Sequence, residues 1–229
     1  MVKRKVSIRR HLVVLFLTTV IFLVGLLLGV SVVQNRTNYL EDIASKQKID
    51  YESLQLQSLY LDTLATNESC YSFNKILESS LEDVAVAQDK VNAYTQESKS
   101  QDYINIKREY SLAEIRYWLL NKKIQTTCPS DTVTILYFYS NENCKNCDSQ
   151  GVLLTYMKEK FKDRLLIFSF DANFNDEPMI NILKRENNLT EVPTLVVMNK
   201  KFSGFVEKEE LKRRICSYYK DAPEECKSD

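Results

Sequence analysis

The sequence predicts an α/β C-terminal domain with a four-stranded mixed sheet and flanking helices, preceded by a transmembrane helix and an α-helical hairpin or bundle. Three observations carry this. Residues 12–33 form an uncharged apolar run, and residues 37–127 lack glycine and proline and repeat their apolar side chains at helical spacing. Residues 132–220 alternate short β-branched and aromatic runs with helical patterns. The segments are then a cytoplasmic basic tail (1–11), a membrane span (12–33), a helical stalk or bundle (34–128) and the α/β domain (129–229).

The run from Leu12 to Val33 is long enough, at ~1.5 Å per residue, to cross a hydrocarbon core of about 30 Å. Lys3, Arg4, Lys5, Arg9 and Arg10 precede it with no acidic residue among them, which places the N-terminus in the cytoplasm and the rest outside. The rival reading is a cleaved signal peptide, for which Gly29 and Ser31 supply a small-x-small site; the length of the run favours an anchor. Gly25 and Gly29 form a G-x-x-x-G that allows a homodimer through the span, or simply two lipid-facing glycines. Lys plus Arg equals Asp plus Glu at 31 each, so with five basic residues before the span the remainder is net acidic, and nothing points to nucleic-acid binding.

Beyond the span, Leu40, Ile43, Leu54, Leu61 and Leu64 mark a first helix, broken by Thr66-Asn67-Glu68-Ser69. Phe73, Leu77, Leu81, Val84, Val91 and Tyr94 trace a second, close to a heptad seam. After the polar run Thr95 to Asp102 comes a third, with Tyr103, Ile106, Tyr110, Ala113, Trp118 and Leu120. Short polar links make these pack antiparallel. No catalytic constellation lies among them, and Trp118 reads as core rather than as a binding face.

The C-terminal domain reads as strand 132–140, helix 145–162, strand 165–171, helix 176–187, strands 194–199 and 202–206 around a turn at Asn199-Lys200, and helix 207–220. Pro178 suits a first helical turn. Gly151 inside the first helix implies a kink or a close contact. The first strand runs straight into Asn143-Cys144-Lys145-Asn146-Cys147-Asp148, a C-x-x-C at the opening of a helix. There the unpaired N–H groups and the helix dipole favour a thiolate on Cys144, and the spacing lets the pair close into a disulfide and reopen.

This pattern resembles the thioredoxin superfamily over roughly Thr132 to Lys220. Strand, C-x-x-C, helix and the later Val192-Pro193-Thr194 match its motifs. The resemblance implies a thioredoxin-like domain with strand order second, first, third, fourth, the last two antiparallel to the first two. It also implies a cis proline at Pro193 and client backbone pairing at Val192, Pro193 and Thr194. It departs in three places. Lys145-Asn146 matches none of the dipeptides that mark reductases, oxidases or isomerases, Asn143 replaces a tryptophan, and the family's buried acid falls at about Phe138. Glu142 is then the nearest proton acceptor, although a solvated carboxylate is its plainer reading. Lys145 favours the Cys144 thiolate, whereas Glu142 and Asp148 oppose it.

Six cysteines after a membrane span fit an oxidising compartment. With Cys144 and Cys147 set aside, position in the chain favours structural bonds Cys70 to Cys128 and Cys216 to Cys226. Helix counting brings Cys70 and Cys128 to one end of an antiparallel pair. Sequons stand at Asn35, Asn67 and Asn188. The expected function is a membrane-anchored thiol-disulfide oxidoreductase that needs no cofactor, acts on cysteine-containing client proteins and is recharged by an unidentified redox partner. The alternatives are an idle thioredoxin-like binding module and a zinc site. The single C-x-x-C and the lone His11 leave the zinc site short of ligands.

Overall fold

The computed structural model describes residues 9, 12–30, 55–56, 70–93 and 101–227. The chain divides into two compact units, 1–63 and 64–229. In the first, α1 (Leu12–Val30) has a mean hydropathy of 2.9 and is long and apolar enough to cross a membrane. Its apolar side chains are exposed along the whole length, and neither Gly25 nor Gly29 has a neighbour within 4 Å of where a Cβ would stand. Gln55 and Leu56 are helical; the rest of the first stalk pattern, residues 31–33 and the sequons at Asn35 and Asn67 lie outside the described residues.

The second unit begins with a helical hairpin, α2 (Cys70–Ala93) and α3 (Gln101–Thr127). Arg116 pairs with Asp83 at 3.1 Å and Lys90 with Glu109 at 2.5 Å across it. The buried stripe of α3 is Ser111, Glu114, Ile115, Tyr117, Asn121 and Ile124, and so carries three polar residues. The apolar pattern alone misplaces this face, because Tyr103, Ile106 and Tyr110 are only partly buried and the buried polar residues Ser111, Glu114 and Asn121 fall off that pattern. Leu81 on α2 is half exposed. Trp118 packs partly buried on the core, with the Lys122 ammonium 5.3 Å from its ring centroid.

The sheet follows: β1 (Val133–Tyr139), β2 (Leu165–Asp171), β3 (Thr194–Val197) and β4 (Lys200–Ser203), in the order β2-β1-β3-β4. β1 and β2 are parallel, β3 is antiparallel to β1, and β4 is antiparallel to β3. This corrects the expectation that both last strands oppose the first two. A tight turn at Met198-Asn199 reverses the chain, so β4 runs in the direction of β1. The turn falls one residue earlier than the sequence suggests because Met198 takes φ +56°, with its sulfur accepting the Thr134 N–H at 3.3 Å. β4 therefore starts at Lys200 and stops before Gly204, whose φ of +79° suits glycine.

Alternation along β1 builds two cores. Val133, Ile135 and Tyr137 face α4 (Cys147–Phe161) and α6 (Lys208–Cys216); Leu136 and Phe138 face α3 and α5 (Pro178–Glu186). β1 is thus buried on both sides, as its β-branched, aliphatic and aromatic composition requires. The N–H groups at the outer side of β2 are a liability for an edge strand, and α3 covers them: the Ser169 N–H meets the Glu114 carboxylate at 3.4 Å. Lys107 also pairs with Asp171 at 2.5 Å and Arg108 with Glu177 at 3.3 Å. Gly151 needs no special explanation from packing, since an added Cβ would meet Tyr137 at an ordinary 3.9 Å. After α6 a short α7 (Glu224–Lys227) folds back, and Arg164 ties β1 to the tail through Asp131 and the Asp221 carbonyl.

Candidate redox site

β1 ends at Tyr139 and a four-residue loop carries the chain to Cys144. Ser140 organises that loop. Its hydroxyl donates to the Glu142 carbonyl at 2.7 Å and accepts both the Glu142 N–H at 2.9 Å and the Asn173 amide at 2.8 Å. Asn143 takes φ +55°, a conformation asparagine tolerates better than the tryptophan of the resemblance would. Cys144 follows half-buried, and Cys147 is the first residue of α4 at 3% exposure. The two are joined as a disulfide, with Cα atoms 5.5 Å apart.

Two contacts hold the inner cysteine. Tyr137 donates its hydroxyl to the Cys147 carbonyl at 2.6 Å, and the Ser140 N–H points to the Cys147 sulfur at 3.5 Å. Burial and the nearby Asp148 push the Tyr137 hydroxyl up to about 12, so it remains a donor at any physiological pH. Gln150, fully buried one turn into α4, accepts the Val206 N–H at 2.8 Å and anchors the helix start to the segment before α6. Asn146 precedes α4 without a side-chain cap, so its orphan amides are open to an anion, which a thiolate would be.

Glu142 and Lys145 are exposed, and neither makes an ion pair among the described residues. The Val192-Pro193 bond is cis and Pro193 is buried. Thr194 pairs with Phe138 in the sheet, so Val192, Pro193 and Thr194 stand at the end of the sheet where β1 delivers the cysteines. Cys70 is bonded to Cys128, with Cα atoms 5.8 Å apart, and Cys216 to Cys226 at 5.7 Å. Asn188 is exposed at the end of α5. Phe138 is fully buried in the core against Phe170.

No protein-family model matches the chain, and no curated protein does. Among solved structures it is similar to a malarial protein (21% identity, 38% of this chain and 97% of that one, TM-score 0.33). It is similar also to chloroplastic thioredoxin z (18%, 44% and 88%, 0.35) and to the germline thioredoxin Deadhead of Drosophila melanogaster (17%, 45% and 92%, 0.33). Likenesses this distant carry no functional argument. The strand order, the C-x-x-C after β1 and the cis proline before β3 are those the resemblance implies. The fold is thioredoxin-like.

The helical hairpin contributes a buried carboxyl that no motif announced. Glu114 reaches the sheet edge from α3, 5% exposed, and its Oε2 has no hydrogen-bond partner. It lines a cavity of about 500 Å³ together with Tyr110, Tyr137 and Gly151. Burial pushes its pKa up to about 8, against the Tyr110 hydroxyl and Ser169 N–H that favour the anion. The folded protein therefore keeps a proton that the unfolded chain releases near the ordinary carboxyl pKa. Stability from this group is present below about pH 4.5 and lost as pH rises towards 8. Glu114→Gln keeps an oxygen for Ser169 and should stabilise the full chain at pH 8 by up to a few kcal/mol, with no gain at pH 4. Urea unfolding at the two pH values checks this; an equal effect at both would contradict it.

Proposed function

We propose that the protein is a membrane-anchored, extracytoplasmic thiol-disulfide oxidoreductase acting on cysteine-containing client proteins. The observation that carries the reading is the unequal placement of the two cysteines: Cys144 half-buried ahead of α4, Cys147 sealed at its first residue. That asymmetry divides the labour of exchange. In the reducing direction the Cys144 thiolate attacks one sulfur of a client disulfide, forming a mixed disulfide and expelling one client thiolate. Cys147 then loses its proton and attacks the Cys144 sulfur. The client's second thiolate leaves, the client has gained two electrons, and the Cys144–Cys147 disulfide of the structure is formed. Run backwards, the same steps give a client its disulfide.

The uncapped amides of α4 and the Lys145 charge support a thiolate at Cys144. Val192, Pro193 and Thr194 would pair with the client backbone, and α1 with its basic flank would anchor the domain outside the cytoplasm. Each turnover leaves the pair in the opposite redox state, so a second protein must reset it; that partner belongs to the proposal too. A disulfide-linked model peptide in glutathione buffer tests it. The detergent-solubilised full chain should speed exchange, and Cys144→Ser should return it to the uncatalysed rate. Equal rates with and without wild-type protein would contradict the assignment.

A further inference from the structure

Against the loop that leads into Cys144 lies a second recess that the proposed reaction leaves unused. Its volume is about 420 Å³. Its walls come from three places: the start of α3 (Tyr103 and Lys107), the loop leading into Cys144 (Glu142), and the end of β2 with the segment after it (Asp171, then Phe174 and Asp176). The inner end already holds a cation. The Lys107 ammonium sits 4.6 Å from the centre of the Phe174 ring and 2.5 Å from Asp171, which is nine-tenths buried. That pair is neutral. Towards the mouth, the carboxylates of Glu142 and Asp176 are exposed, and neither makes an ion pair among the described residues. The partly buried Tyr103 ring together with two exposed carboxylates is complementary to a side chain with an apolar stem and a cationic head, that is, arginine or lysine. Glu142 stands two residues before Cys144, so whatever enters the recess is brought close to the attacking sulfur.

We infer that this recess is a specificity subsite that takes a basic side chain lying next to the client's reactive cysteine. The inference rests on the redox reading above and names the client chemistry of that site. It gives α3 a role besides covering the edge of β2, since the recess has its outer wall only while the hairpin is docked. Opposite charges at the rim raise the encounter rate with basic segments and discourage acidic ones, an effect that salt screens.

Two disulfide-linked model peptides, identical except for arginine or glutamate beside the cysteine, test the subsite with the detergent-solubilised full chain. The arginine peptide should exchange about tenfold faster at low salt, with the ratio shrinking in high salt. Asp176→Lys changes an exposed residue, so the fold survives, and it should cut the ratio towards or below one. Equal rates for the two wild-type reactions, or a ratio that Asp176→Lys leaves intact, would overturn the subsite while leaving the exchange activity standing. Failure of both peptides to exchange faster than with Cys144→Ser would overturn the redox reading and the subsite with it.

Discussion

Cys147→Ala should accumulate covalent complexes between Cys144 and client proteins, and Cys144→Ser should accumulate none. Cys147 is 3% exposed and begins α4, whereas Cys144 precedes it in the more accessible loop. On the proposed reading Cys144 meets the client sulfur and Cys147 displaces the client afterwards. Without Cys147 the mixed disulfide has no internal resolving thiol, so its lifetime is set by external thiols and lengthens by orders of magnitude. Non-reducing electrophoresis after acid quenching reads the complexes, and reductant should dissolve them. Equal trapping by both variants would reverse or erase the division of roles.

Replacing Cys70 and Cys128 together by serine should lower the stability of the second unit by about 4 kcal/mol. The bond spans 58 residues of sequence, and loop-closure entropy in the unfolded chain gives that magnitude. Its location matters more than its size. It closes the open end of the α2–α3 hairpin just before β1, and α3 supplies Lys107, Arg108 and Glu114 to β2 and the segment after it. Loosening the hairpin therefore weakens two contacts with β2 and one with the start of α5 at once. Denaturant titration should show the lower midpoint, and amide exchange should show Ser169 losing protection before the β1 amides do. A change below about 1 kcal/mol would mean that the hairpin is held by packing alone.

The sheet was readable because its signals are local. β1 is a seven-residue run of β-branched, aliphatic and aromatic residues, and Pro178 and Asn146 stand where helices begin. What the sequence concealed depends on contacts across long separations. Glu114 sits on α3 where a helical pattern expects an apolar residue, and only the approach of β2, 55 residues later, explains it. Gln150 is similar: it occupies the inward register shared by Cys147, Leu154 and Phe161, and that misplaced polar residue was a usable signal. Ser140 carries no motif, yet it orders the loop before Cys144 through Glu142 and Asn173. The direction of β4 departs from the pattern the resemblance implies, because the tight turn at Met198-Asn199 sends the chain back antiparallel to β3 and so along β1.

The most direct test of the redox reading is an equilibrium titration of the full chain in glutathione buffers, followed by mass mapping of each cysteine pair. Cys144 is partly exposed in a loop with Glu142 and Lys145 while Cys147 is buried at the start of α4, whereas Cys216–Cys226 packs against the core and Cys70–Cys128 closes a long loop. Cys144–Cys147 should open and reclose reversibly, at a potential within the range of exchange enzymes, while the other two bonds stay intact. A Cys144–Cys147 bond that resists reduction until the structural bonds have opened would contradict the redox reading.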